Sequence, residues 1–207
     1  MRMRLQVNTG SYRQTARRIL RIGEYLSLAI GLAALTSWTV IVVDAKWTQE
    51  SLRRSLEELQ EQSPMLEGST APRQQAPQSL VGQIEVARLG LSAMVLEGVD
   101  SRTLSRAVGH IPGTALPGST GNVAFAGHRD TFFRGLKDIR LGDEIVVTTP
   151  YGRYQYRVFA SEIVKPTETR VLAASAKATV TLVTCYPFHY IGSAPKRFIV
   201  HAHLVQG

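Results

Sequence analysis

The sequence predicts a mainly β domain, a closed or nearly closed barrel with short helices, carried behind one N-terminal membrane-spanning helix. Three observations lead there. Seven short runs in residues 81–207 (GQIEVARL, LSAMVLEG, NVAFAG, DEIVVTTP, YQYRVFASEIV, TVTLVTC and RFIVHAHLV) are β-branched or aromatic and bounded by turn residues. Six to eight such strands with little helix favour closure, because closure removes unpaired edges. Residues 26–43, LSLAIGLAALTSWTVIVV, carry no charge; as a helix they rise ~27 Å, close to the ~30 Å hydrocarbon core.

The N-terminal segment sets the topology. Residues 1–25 hold Arg2, Arg4, Arg13, Arg17, Arg18 and Arg21 against Glu24 alone, a balance of +5. The positive-inside rule keeps that end in the cytoplasm and puts everything after Asp44 outside. Tyr25 and Trp47 suit the two membrane interfaces. A cleaved secretory signal has an apolar core of ~7–15 residues ending at a small-x-small site. Here the run is longer and exits through DAKW, so an uncleaved, single-pass signal anchor in the cell (inner) membrane is expected. The net charge of +8 divides into +5 for residues 1–25, −2 for residues 44–80 and +5 for residues 81–207. The first block is topology, and the last lacks an aromatic-interleaved basic cluster, so nucleic acid is not an expected partner.

Residues 44–80 read as a helical stalk followed by a linker. Leu52, Leu56 and Leu59 share one helix face, and Glu50 and Arg54 form an i,i+4 pair. The stripe is too short for a coiled coil, so a solvated helix continuing the membrane span is expected. SPMLEGSTAPRQQAPQS (63–79) is rich in Pro, Ser and Gln and reads as a flexible or semi-extended tether. Residues 81–207 form one domain, with a hairpin at TPYG. Helices are expected at SRTLSRAVG, with Ser101 as N-cap, and at RDTFFRGLKDI.

Cys185 is the only cysteine in the chain, and it closes the run TVTLVTC. A lone thiol is most often a small buried hydrophobe. Outside the membrane, however, cysteines normally pair, and a leftover one points to a reactive thiol or an intermolecular bond. Alternation puts Thr179, Thr181, Val183 and Cys185 on one face of the strand. A thiol titrates near ~8.5 and needs a base, a cation or a helix N-terminus to become a thiolate. Of five histidines, His128 at the end of NVAFAGH occupies the same strand-end position as Cys185. His110 is expected to serve the loop bounded by Pro112 and Pro117, and His189 follows the cysteine too closely. His201 and His203 share a strand face read as solvated, with no third metal ligand at a familiar spacing. Arg197, where the last strand begins, can hold an oxyanion. Arg129 and Arg134 compete for that role, and spacing does not choose among the three.

In that order, His in AFAGHRD, Cys in TLVTC and Arg in APKRF resemble the sortases, membrane-anchored cysteine transpeptidases with an eight-stranded β-barrel. The runs GHIPGTALPGSTGNVAFAGHRDTFFRGLKDIRLGDEI and TLVTCYPFHYIGSAPKRFIVHA are most similar to class D. The resemblance covers residues 81–207. It implies Cys185 as nucleophile, His128 as acid/base and Arg197 as oxyanion or substrate-positioning group. It also implies partners: protein substrates bearing a C-terminal Leu-Pro-x-Thr-like sorting signal, and an amine acceptor. Thr184 is a candidate to hydrogen-bond substrate, although its side chain alternates away from Cys185. Some sortases bind calcium, but Glu97, Asp100, Glu162 and Glu168 are too scattered for a site, and no cofactor is expected. Rivals stand beside this reading: an L,D-transpeptidase-like or other extracytoplasmic cysteine hydrolase, and a non-catalytic tethered β-barrel binding module. An L,D-transpeptidase would carry a Ser-His-Gly-Cys-like block, whereas Thr184 precedes Cys185 here. A non-catalytic tethered barrel would use the cysteine structurally.

Overall fold

The β-branched runs become strands because each can bury one side. In β1 (Leu80–Val86) every second residue is buried, which is the two-residue period of a strand with one face in a core. β2 (Leu91–Glu97), β3 (Val108–His110), β4 (Asn122–Ala126), β5 (Glu144–Thr149), β6 (Gly152–Val164), β7 (Thr179–Tyr186) and β8 (Lys196–Gln206) follow. The structure is a computed structural model that describes residues 9–62, 80–190 and 192–207; the tether expected at 63–79 lies outside them. The chain divides into two units, residues 1–44 and 45–207.

The eight strands close into a barrel in the order β1-β2-β3-β4-β7-β8-β6-β5, with β1 pairing β5 to complete the ring. Ile84, Val95, Phe125, Ile145, Leu182 and Val200 fill the interior together with Tyr156. Gly82 lets β1 and β5 approach, since a methyl there would collide with the Thr148 carbonyl. The TPYG turn joins β5 to β6, with Thr149 paired to Gly152.

His110 lies at the end of β3, is only 2% exposed and serves the loop bounded by Pro112 and Pro117 as expected. Its Nδ1 is 2.7 Å from Glu97, and its Nε2 is 2.9 Å from the Ala115 carbonyl and 3.0 Å from the Thr114 hydroxyl. Both ring nitrogens are therefore committed to structure. The helix α2 (Ser101–Arg106) is capped one residue earlier than expected, by Asp100, whose Oδ1 accepts from the Arg102 and Thr103 amides. The stretch after His128 forms a 3₁₀ turn at Arg134–Asp138.

The helix α1 runs over Thr9–Gln62. Within the first unit, Leu28, Ile30, Leu32, Leu35 and Trp38 are all exposed. The hydroxyls of Ser27, Thr36, Ser37 and Thr39 donate to carbonyls three or four residues back, so these four groups do not need water. By length and composition α1 can cross a membrane.

The part of α1 in the second unit is not a solvated stalk. Leu52, Leu56 and Leu59 pack on Leu80, Met94 and Leu96. Gln49 accepts from the Met94 amide at 2.7 Å and donates to the Arg106 carbonyl at 2.7 Å, and Gln60 donates to the Thr149 carbonyl. The leucine stripe reads as amphipathic from sequence. Its partner surface exists only once β1 and β2 have paired.

Arg88, just after β1, clasps Asp143 before β5. Its Nε and Nη2 donate to the two carboxylate oxygens at 2.6 and 2.5 Å, and the Arg140 amide donates to Oδ2. The Arg88 hydrogen bonds, with help from the Arg140 amide, hold the Asp143 carboxyl below the ordinary carboxylate range against the opposing effect of burial. A lowered native pKa adds stability that is complete above the unfolded value of ~3.9 and disappears as pH falls through the lowered native value. In urea titrations from pH 5 down to pH 2, Asp143→Asn should therefore lose less stability than wild type. Parallel curves would sink this assignment.

Candidate active site

β4 and β7 run parallel with Asn122 opposite Thr179 and Ala126 opposite Val183. The Gly127 amide continues the ladder by donating to the Val183 carbonyl at 3.1 Å. Carried one more step, the same register sets His128 beside Cys185. On the other side of β7, Cys185 pairs directly with Arg197 of β8. Neighbouring strands lie ~4.8 Å apart. Three segments far apart in sequence are thus brought together, Cys185 and Arg197 on paired strands and His128 two residues past the end of β4.

Cys185 is half-buried, on the outer face of β7 as alternation predicts, with the barrel core on the other face. His128 is exposed and Arg197 half-buried. All three line one groove of about 340 Å³, together with Arg129, Asp130 and Gly192–Ala194. Arg197 Nη1 donates to the Ala194 and Lys196 carbonyls at 3.2 and 3.0 Å. Placement separates the three arginines. Arg134 is exposed in its 3₁₀ turn and does not line the groove. Arg129 lines it but donates to the Tyr190 and Gly192 carbonyls.

Thr184 does not face the groove. It is 2% exposed, and its hydroxyl donates to the Gly127 carbonyl at 2.8 Å. It therefore fixes the backbone immediately before His128, which corrects the expectation of a substrate contact. Gly127 is itself constrained, because a side chain there would meet the Phe133 ring at 2.8 Å.

Beyond the groove, the outer face of the sheet is walled by the β6–β7 connection. Val171 of its 3₁₀ turn (Thr169–Leu172) packs with Val164 and Ile199. Asn122 anchors this turn. Its amide donates to the Val171 and Ala173 carbonyls at 3.0 and 3.2 Å, while its oxygen accepts from Thr181 at 2.7 Å. His201 and His203 are not simply solvated. His201 lies 3.1 Å from the Thr181 hydroxyl and 3.2 Å from Glu162, and His203 stacks on Phe159 at 3.8 Å. Hydrogen bonds from Arg170, then from His201, hold the Glu162 carboxyl below its ordinary range against the opposing effect of burial. Glu97 meets His110, Asp100 caps α2, and Glu162 and Glu168 pair with Arg170. Among the described residues, no group of three or more His, Cys, Asp or Glu is placed to hold a metal.

Sequence reading missed Asn122 and undervalued Arg129. Nothing local marks an asparagine at a strand start as the anchor of a wall some 50 residues later. The neighbourhood of Arg129 to His128 was a usable signal for the groove, though not for its loop partners.

A barrel with this groove has known counterparts. Sortase D of Bacillus subtilis (strain 168) is 33% identical over 125 residues, which cover 60% of this chain and 63% of that protein. Sortase A of Bacillus anthracis is 25% identical over 130 residues, covering 61% and 60%. The chain thus spans under two thirds of these relatives. Among solved structures, the Clostridium perfringens Sortase D5 transpeptidase superposes with a TM-score of 0.62 at 27% identity, over 79% of this chain and 99% of that one. The relatives lend no support to an L,D-transpeptidase or to a non-catalytic barrel. The sortase domain model matches residues 84–205, from β1 almost to the end of β8, and with more than half of its length so matched the chain belongs to the sortase family.

Proposed function

We propose that this chain is a membrane-anchored cysteine transpeptidase of the sortase type. The observation that carries the reading is the groove shared by Cys185, His128 and Arg197. The Cys185 thiolate attacks the threonine carbonyl of a Leu-Pro-x-Thr-Gly-like or Leu-Pro-x-Thr-Ala-like sorting signal, forming a C–S bond. The oxyanion that develops is met by the Arg197 guanidinium from the paired strand. As the C–N bond breaks, His128 as imidazolium gives its proton to the leaving amine. The thioacyl intermediate is then attacked by an acceptor amine, which loses a proton to His128 and releases Cys185 with the two peptides joined. Water in place of the amine gives slow hydrolysis.

The N-terminal charge bias and the exposed apolar stretch of α1 support an uncleaved signal anchor, single-pass, with the N-terminus cytoplasmic and residues 45–207 outside. Organisation follows as 1–25 cytoplasmic, 26–43 spanning, 44–80 stalk and linker, and 81–207 catalytic, with the docked helix an addition to the last.

The test is to incubate the protein with a Leu-Pro-x-Thr-Gly peptide and no amine, then measure intact mass. A hydroxylamine-labile adduct on Cys185, absent in Cys185→Ala, is expected. An adduct that survives in Cys185→Ala would overturn the assignment.

A further inference from the structure

The rim of the groove includes the β7–β8 connection. Phe188 packs on Phe198 with ring centres 5.4 Å apart, which secures the start. Beyond it His189, Tyr190, Gly192 and Ser193 are exposed. Specific hydrogen bonds hold the described backbone on this stretch.

Those bonds come from Arg129. Its Nη2 donates to the Tyr190 carbonyl at 2.5 Å and to the Gly192 carbonyl at 3.2 Å, and its guanidinium carbon lies 5.9 Å from the centre of the Tyr190 ring. Nη1 is buried with no hydrogen-bond partner. The two carbonyls, and not a full set of partners, therefore hold the guanidinium in place. On the far side, Arg197 donates to the Ala194 carbonyl, and Gly192, Ser193 and Ala194 line the groove with Cys185 and His128. Two arginines thus grip one short connection from opposite ends, and the second is the group paired across from Cys185.

We propose that Arg129 is a positioning residue that braces the β7–β8 connection as a wall of the groove, so that the Ala194 carbonyl is in place to orient the Arg197 guanidinium before a peptide enters. The consequence for turnover rests on the transpeptidase reading above; the bracing itself does not. Arginine suits the task because its planar fork can serve two carbonyls at once, whereas lysine presents a point charge on a flexible stem.

The experiment is hydrogen–deuterium exchange on the full chain in detergent, read at the Tyr190, Gly192 and Ser193 amides, beside peptide-cleavage kinetics. In Arg129→Ala these amides should exchange on the order of tenfold faster while the Leu182 amide in β7 is unchanged. The kcat/KM for the sorting peptide should fall, with Arg129→Lys intermediate in both readouts. Tyr190→Leu keeps the carbonyl and should stay near wild type. Unchanged exchange in Arg129→Ala overturns the proposal, and so does Tyr190→Leu loosening the loop as much as Arg129→Ala. If Arg129→Ala does not fold, Arg129→Lys decides by the same amides. A wild-type protein that forms no thioacyl adduct sinks the transpeptidase reading, yet the exchange data still decide the brace.

Discussion

Replacing His128 with alanine should lower kcat/KM for sorting-peptide cleavage by ~10²–10⁴, the range supplied by a positioned acid/base. The loss should fall on kcat, because His128 is exposed at the rim of the groove and is asked to move protons more than to bind peptide. The thiol must give up a proton before attack, and the departing amine must gain one, so both steps need a titrating group within reach of the sulfur. The β4–β7 register supplies His128 there. Among the described residues, the carboxylic acid lining the groove is Asp130. Asp130→Asn is therefore the control, and its rate should stay close to wild type. Removing Arg197 should cost about 10²–10³, as loss of an oxyanion donor does elsewhere. The measurement is steady-state cleavage of a fluorogenic Leu-Pro-x-Thr-Gly peptide, with iodoacetamide alkylation of Cys185 followed against pH. A His128→Ala enzyme that keeps its rate, with Asp130→Asn losing it instead, would transfer the proton role to the carboxylate.

How much of this was legible depends on the range of the interaction that decides each feature. Seven of the eight strands were readable because β-branched runs and their turns are local. β3 escaped because three residues, Val108–His110, leave no room for a period; its partners on either side define it. The α2 cap was displaced by one residue because Asp100 and Ser101 are both good caps and the local backbone chooses. Cys185 and His128 could be nominated one at a time, from an extracytoplasmic lone thiol and a strand-end imidazole. Their adjacency could not, since it follows from a parallel pairing between segments 57 residues apart in register. Spacing left Arg197 one of three candidates and the resemblance pointed to it, while its place opposite Cys185 follows from the β7–β8 register.

The docked segment of α1 carries the second large effect, on stability. Leu56 is 2% exposed among Leu80, Met94 and its own neighbours Leu52 and Leu59. Truncating a buried leucine to alanine costs ~2–5 kcal/mol, and the low end applies where the surroundings can close on the gap. A helix lying on a barrel can shift inward more easily than a strand inside it, so about 2–3 kcal/mol is expected for Leu56→Ala. For a domain of this size, each kcal/mol moves Tm by roughly 2–4 °C. Leu56→Asp should be worse, because a carboxylate would sit against Met94 and Leu80 with no partner. Gln49→Ala should cost about 1–2 kcal/mol, the net worth of its two hydrogen bonds to the Met94 amide and the Arg106 carbonyl. Thermal melts of the 45–207 unit and its variants check this order. None of these residues lines the groove, so peptide cleavage well below Tm should be unchanged in all three. A solvated stalk gives the opposite pattern: Leu56→Ala would melt with wild type, and a domain beginning at Leu80 would be as stable as one beginning at Ala45. Because Met94 and Leu96 would then be bare on the barrel surface, such a result would also require that apolar face to be covered by something other than α1.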